Sequence, residues 1–269
     1  MSEGAETYTH GHAESVLRSH RWRTVENSAA YLLPHLRAGV DLLDVGCGPG
    51  TITIDLAQRV APGRVLGIDP AVDAIEAAEA AATGAAVANL ALTTGDVYAL
   101  DHADDSFDVV HAHQVLQHLA DPVAALREMR RVCRPSGVVA ARDSVYRAMS
   151  WYPQPPALDR WLEVYCAVAE ANGGEPDAGS RLRHWSVEAG FAAVATSASA
   201  WCFATDEERA WWGGLWADRI TGTALGSRAV ELGLASTADL DDMAAAWRSW
   251  ADAPDGWFAV LHGEVLATP

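Results

Sequence analysis

The stretch that decides the fold is Leu42-Leu43-Asp44-Val45-Gly46-Cys47-Gly48-Pro49-Gly50-Thr51. The run from Val40 to Val45 is short and apolar and ends in glycines, the pattern of a strand buried in a parallel sheet. Thr51 to Val60 follows at once with a helical period, placing Ile54, Leu56 and Ala57 inward. Three glycines between strand and helix permit positive φ and let a ligand approach the main chain closely. The free N–H groups at the helix start favour an anionic ligand group. A dinucleotide fingerprint would place its third glycine at position 51, where Thr51 stands. Asp44, within the strand, is placed to meet a cationic group.

Outward from this turn, strands and helices alternate. Val65 to Ile68 reads as a second strand, Ala71 to Ala82 as an alanine-rich helix and Leu90 to Thr94 as a third strand. Phe107 to Ala112 follows the polar turn Asp104-Asp105-Ser106 as a fourth. Asp121-Pro122 opens a helix with Val123, Leu126, Met129 and Arg130 at helical spacing, proline fitting its first turn. Pro135-Ser136-Gly137 ends it, and Val138 to Arg142 is a fifth strand. Strands alternating with helices of this length imply βαβ units and a parallel sheet.

The flanks complete the picture. Residues 12–37 look helical, as do Ala157 to Ala171 and Arg181 to Ala189, while Ala192 to Ala204 and Trp257 to Leu266 read as strands. Between those strands lies an insertion, about 206–254. Thr205 with Glu208 forms a capping box, and Trp212, Leu215, Trp216 and Ile220 share one helical face. Ser236 with Asp239 starts another helix carrying Leu240, Met243, Trp247 and Trp250. The expectation is an α/β, Rossmann-like, doubly wound and mostly parallel seven-stranded sheet. A helical N-terminal lid segment (1–37) precedes the main domain (38–269), and the insertion caps that domain before the last strand.

Composition narrows the function. The chain has 269 residues, half of them hydrophobic, enough for a substantial core. Nineteen basic residues, all arginine, face 36 acidic ones, a net charge of −17. A surface that negative repels phosphate backbones and anionic lipid, so neither nucleic acid nor a membrane is expected as a partner. No stretch approaches the ~18 apolar residues of a membrane span. The first residues, Met1 to Glu6, are polar and acidic, unlike a signal peptide, and a cytoplasmic location is expected. Cys47, Cys133, Cys166 and Cys202 are scattered, with no Cys-x-x-Cys pair, and no metal site is expected.

Two further acids lie at strand ends. Asp69 closes the second strand, placed to accept from ribose hydroxyls, and Asp96 in Thr94-Gly95-Asp96-Val97 is placed to accept from an adenine amino group. This set resembles the class I S-adenosylmethionine-dependent methyltransferases, in particular their UbiE/COQ5-like small-molecule group. The matching stretches are Leu43 to Gly50, Gly67-Ile68-Asp69, Gly95-Asp96, Ser106 to Val110, Gln114 to Leu119 and Arg131 to Gly137, covering about residues 38–143. The resemblance implies S-adenosyl-L-methionine as cofactor and a small-molecule acceptor, a quinone-like compound or a secondary metabolite among the options. It places Gly46, Cys47, Gly48 and Gly50 against the methionine part and Asp44 near its ammonium. Asp69 would hold the ribose, Pro70 would pack on the adenine, Asp96 and Val97 would border it, and His113 and Gln114 would line the sulfonium region.

Methyl transfer needs alignment and exclusion of water, and an oxygen or carbon acceptor also needs a base. His111 and His113 alternate along the fourth strand and so point to opposite faces. His113 lies nearer the ligand edge. His118 matches a family histidine that more often orders the loop, and Asp143 ends the fifth strand. His113, Asp143 and His118 are thus the catalytic candidates. Tyr8, His12 and Arg21 are candidate lid residues, against the plainer reading of a solvated face. The tryptophan-rich insertion would line an apolar pocket, although most of its tryptophans are expected to be core. Three other readings compete: a cofactor-binding enzyme that does not methylate, a nicotinamide-dependent oxidoreductase disfavoured by Thr51, and a non-enzymatic relic. Whether carbon, oxygen or nitrogen is methylated stays open, as does the choice between monomer and homodimer.

Overall fold

The structure, a computed structural model, describes residues 22–269. The candidate lid residues Tyr8, His12 and Arg21 lie outside the described residues. Of the helix expected over 12–37, the described part holds only α1 (Val25–Ser28) and a 3-10 segment, Ala30–His35. Ala29, with φ −140°, breaks the first off, and Pro34 lies inside the second. Neither is long enough to be a stable helix alone; both survive because Val25 and Leu32 are fully buried against the sheet.

The central layer alternates as expected: β1 (Leu42–Val45), α2 (Thr51–Val60), β2 (Val65–Asp69), α3 (Val72–Gly84), β3 (Leu90–Thr94), β4 (Phe107–His113), α4 (Pro122–Val132) and β5 (Cys133–Ser144). Then come β6 (Ser150–Tyr152), α5 (Pro156–Ala171), α6 (Ala178–Glu188) and β7 (Ala193–Phe203). The insertion forms α7 (Asp206–Gly222), α8 (Ala224–Glu231) and α9 (Thr237–Asp252), and β8 (Trp257–Thr268) ends the chain. The strand order is β3-β2-β1-β4-β5-β8, with β7 on the outer side of β8. Strands β1 to β5 are parallel, and β8 runs antiparallel to its neighbours. There are eight strands where seven were expected. The extra one, β6, is three residues paired to Trp257–Ala259, too short to leave an alternation in sequence.

The order reverses between β1 and β4, and ligands in such sheets bind beyond the C-terminal strand ends at that point. One face of the sheet packs Leu126, Met129, Leu182 and Phe191 over Val45, Val110 and Val265. The other packs Ile52, Leu56 and Val60 over Leu42, Val65 and Val109. A third core joins α5 to the insertion, with Trp161, Trp216, Trp247 and Phe258 at its centre. Trp161 meets Trp216 edge-on at 4.6 Å and Trp247 at 4.8 Å. Such pairs add about 0.5–1.5 kcal/mol each beyond their area. Both expected capping boxes form, Thr205 with Glu208 and Ser236 with Asp239. No helix among the described residues is long and apolar enough to cross a membrane.

Candidate active site

The turn after β1 holds Gly46, Gly48 and Gly50 at φ of 67°, 52° and 80°, a left-handed run that other residues rarely adopt. It is laced to the end of β2. The Cys47 N–H donates to the Ile68 carbonyl at 2.9 Å, and the Gly48 N–H donates to Asp69 Oδ2 at 3.0 Å. The other Asp69 oxygen accepts from the Ala71 N–H at 3.0 Å and so orders the start of α3. A Cβ on Gly46 would meet Val115 Cγ2 at 2.4 Å, so the turn and the loop after β4 lie in close contact.

A cavity of about 760 Å³ opens over this turn. Among the expected cofactor residues, Asp44, Gly46, Cys47, Gly48, Asp69, Pro70, Asp96, Val97, His113 and Gln114 all line it. Gly50 does not. It stands at the N-cap of α2, where a Cβ would approach that of Ala78 to 2.9 Å, so its smallness serves the packing of α2 on α3. Asp44 is buried and already engaged: Thr53 donates its hydroxyl to Oδ2 at 2.6 Å, and His111 Nδ1 lies 2.7 Å from Oδ1. His111 thus faces Asp44 across the β1–β4 pairing, which sets the two residues side by side. Asp96 accepts from the Tyr98 N–H at 2.9 Å. Burial, then the charges of Asp44 and Asp69, push the Cys47 thiol far up, so it is inert as a nucleophile.

The catalytic candidates separate. His113 lines the cavity, 5.7 Å from the Trp201 ring and 6.3 Å from that of His262, and neither ring nitrogen has a partner among the described residues. Burial, followed by the charges of Arg142 and Arg23, holds it neutral well below the ordinary histidine range. His118 also lines the cavity, with Nε2 3.0 Å from the Gln117 amide, and burial pushes its pKa down to about 3. Asp143 is not on the cavity wall. Its side chain sits under the loop after β4, where Oδ1 accepts from the Gln117 N–H at 3.2 Å, because alternation along β5 turns it to the face opposite Arg142. Burial raises its pKa to about 8.

Sequence reasoning places Gln114 at the site but misses its bonds, and it misses the polar row beside it. Gln114 holds φ 55°, accepts from Arg23 at 2.7 Å, and sends its amide toward Ser144 Oγ at 2.8 Å and His262 Nε2 at 3.0 Å. Register sets His113, Arg142, Glu264 and Ser197 in one row across β4, β5, β8 and β7. Arg142 is 1% exposed, with Nε 3.3 Å from Glu264 Oε1, its guanidinium 5.0 Å over Trp201 and its pKa lowered by burial to about 10. Glu264 also accepts from Ser197 at 2.6 Å and Ser199 at 2.5 Å. An arginine directly after the apolar run Val138 to Ala141 was the available signal for this row. The insertion contributes Trp211, Trp212, Trp216 and Arg219 to the cavity, and Trp22 and Trp201 join them. Trp247 and Trp250 lie in the core away from the cavity. No group of three metal-ligating side chains occurs among the described residues.

The methyltransferase domain family matches residues 36–191. An uncharacterized methyltransferase from Schizosaccharomyces pombe is 33% identical over 96% of this chain and 95% of its own. This chain belongs to the methyltransferase domain family. A demethylmenaquinone methyltransferase from Staphylococcus aureus is 36% identical over 46% of the chain and 51% of its own length. The crystal structure of the YcgJ protein from Bacillus subtilis shares the fold at TM-score 0.56 and 21% identity, covering 88% of this chain and 96% of that one. The methyltransferase uses S-adenosylmethionine, as the sequence resemblance implied.

Proposed function

We propose that this methyltransferase transfers the methyl group of S-adenosylmethionine to a small, flat organic acceptor held among the tryptophans of the cavity. The observation that carries the reading is the continuity of one cavity from the glycine turn and strand-end acids to the aromatic wall, with His113 on it. Its size is within the range of small-molecule sites, roughly 300–1,000 Å³.

The residues present suit the cofactor. The main chain at Gly46 and Gly48 has no side chain to hold a ligand off, Asp69 and Asp96 present carboxylates at the ends of β2 and β3, and Pro70 and Val97 offer apolar edges beside them. In this reading Gly46, Cys47, Gly48 and Asp44 hold the amino-acid part, Asp69 the ribose, Pro70, Asp96 and Val97 the adenine, and Gln114 the region next to the acceptor. When bound, S-adenosylmethionine supplies an electrophilic methyl carbon on a good leaving group.

The chain's own part is alignment, exclusion of water and proton uptake. His113 accepts the acceptor's proton at a ring nitrogen: its imidazole is neutral and neither nitrogen has a partner among the described residues. His118 orders the loop with Gln117, and Asp143 pins that loop's backbone from below. The insertion, about 206–254, closes the acceptor's end. The partial likeness to a demethylmenaquinone methyltransferase supports a quinone-like acceptor as one member of this class.

Calorimetry with S-adenosylhomocysteine and with NAD tests the platform: tight binding of the first and none of the second is expected. Methyl-labelled cofactor offered with a panel of phenols and quinols tests the transfer. With an accepted substrate, His113→Gln is expected to lower kcat by about 10²–10⁴-fold and leave S-adenosylhomocysteine affinity unchanged. Because the folded protein keeps His113 neutral, the acidic limb of the wild-type kcat/KM profile falls below the ordinary histidine pKa of about 6.5. A limb at or above that value overturns the base assignment.

A further inference from the structure

Just below the glycine turn, register sets Gly67, Asp44 and His111 side by side on β2, β1 and β4. Asp44 is 3% exposed, and that small exposed part lines the cavity. A carboxylate swivels easily about its last torsion and offers about four lone-pair sites. Here two donors from two different elements hold it. Thr53, fully buried on α2, gives its hydroxyl proton to Oδ2 at 2.6 Å. His111, fully buried on β4, lies with Nδ1 2.7 Å from Oδ1, and because a carboxylate only accepts, the proton between them belongs to Nδ1. With one donor on a helix and the other on the neighbouring strand, the plane of the carboxylate is fixed. Gly67 leaves the room for this: a Cβ there would come within 3.1 Å of Thr53 Cγ2 and 2.8 Å of Leu92 Cδ2. His111 Nε2 is buried without a partner among the described residues, so the polar capacity of that ring is directed at Asp44. Lone-pair sites remain on Asp44, and a buried carboxylate gains most from a further donor that is itself cationic. A carboxylate already held in place need not be ordered when that donor arrives.

We propose that His111 is a positioning residue for the cofactor: with Thr53 it holds Asp44 so that the free side of the carboxylate meets the cofactor's ammonium, and it thereby selects S-adenosyl compounds that carry that ammonium over those that lack it. This rests on the reading that places Asp44 against the amino-acid part of S-adenosylmethionine.

Calorimetric titration with two ligands that differ in one group tests it: S-adenosylhomocysteine, and the same compound with hydrogen in place of its α-amino group. The ratio of the two affinities reads the contact with the ammonium, whereas a general loosening of the fold weakens both ligands and leaves the ratio alone. The wild type is expected to favour S-adenosylhomocysteine by about tenfold or more. His111→Leu, which fills the space without a donor, should bring the ratio to within about threefold of parity by weakening S-adenosylhomocysteine alone. His111→Asn, whose amide nitrogen stands close to the place of Nδ1, should restore most of the preference. Thr53→Val, which keeps the shape and loses the hydroxyl, should also lower the ratio, and it decides where His111→Leu fails to fold. The proposal is overturned if the folded variant keeps the wild-type ratio, whether both affinities stay or fall in step, since His111 would then only tie β1 to β4. It is overturned equally if the wild type binds the two ligands alike, a result that leaves the cofactor platform standing. Failure of the methyl-transfer reading appears separately, as absent binding of both ligands to the wild type.

Discussion

Replacing Asp143 by asparagine isolates a buried carboxyl whose proton the fold controls. Asp143 has no exposed surface, one oxygen accepts from the loop backbone, and Oδ2 has no partner among the described residues. Burial lifts its pKa from 3.8 to about 8, against the opposing pull of the Gln117 and Leu116 N–H groups and the Arg142 charge. The native state therefore keeps this proton up to about pH 8, whereas the unfolded chain releases it near pH 4. Between those values the native state binds more protons than the unfolded one. Stability then falls as pH rises, by about 1.4 kcal/mol per pH unit and by on the order of 5 kcal/mol across the window. The Asp143→Asn side chain keeps an acceptor oxygen and the shape but has no proton to lose. Urea unfolding of both proteins at about pH 4.5, 6 and 7.5 gives the difference, from which the shared contributions of His113, His118 and His262 cancel. The variant should gain steadily on the wild type as pH rises. A difference independent of pH would mean that the carboxyl is ionised throughout, and would refute the reasoning.

Two other perturbations have expected outcomes. Gly46→Ala must hold φ 67° and displace Val115, whose Cγ2 lies 2.4 Å from the added Cβ. The backbone strain alone is about 1–2 kcal/mol, and calorimetry should show S-adenosylhomocysteine affinity lowered by about tenfold or more. Glu264→Ala leaves the Arg142 charge buried without its carboxylate, which should cost about 3–5 kcal/mol in urea unfolding. The double variant Arg142→Met with Glu264→Met should be markedly more stable than that single variant, and equal losses in the two would sink the pairing argument.

The central βαβ pattern was legible because its signals are local. Apolar runs, Asp121-Pro122 and the two capping boxes each act within a few residues, and each appears where the sequence puts it. The glycine turn was legible for the same reason, its three positive φ values falling at alternate positions within one five-residue stretch. What was not legible depends on register. The partnership of Asp44 with His111, and the row from His113 through Arg142 to Glu264, exist only because β4 lies between β1 and β5, and β8 beside β5, in one particular alignment. Asp143 and Gly50 show the converse. Both stand in the expected elements, but strand alternation turns the first away from the cavity, and α3 occupies the space beside the second. Helical spacing likewise identified the buried face of the insertion without distinguishing Trp212, which reaches the cavity, from Trp247, which does not.

The position of β8 bears on how the chain folds as it is made. It is the final strand in sequence, yet it lies between β5 and β7, hydrogen-bonded along both sides. Until it arrives, β5 and β7 each present a row of unpaired backbone groups, the kind of surface on which growing chains stick to one another. Assembly from the N-terminus is thus left open until β8 has been made, and a ribosome halted short of residue 257 would display two bare edges.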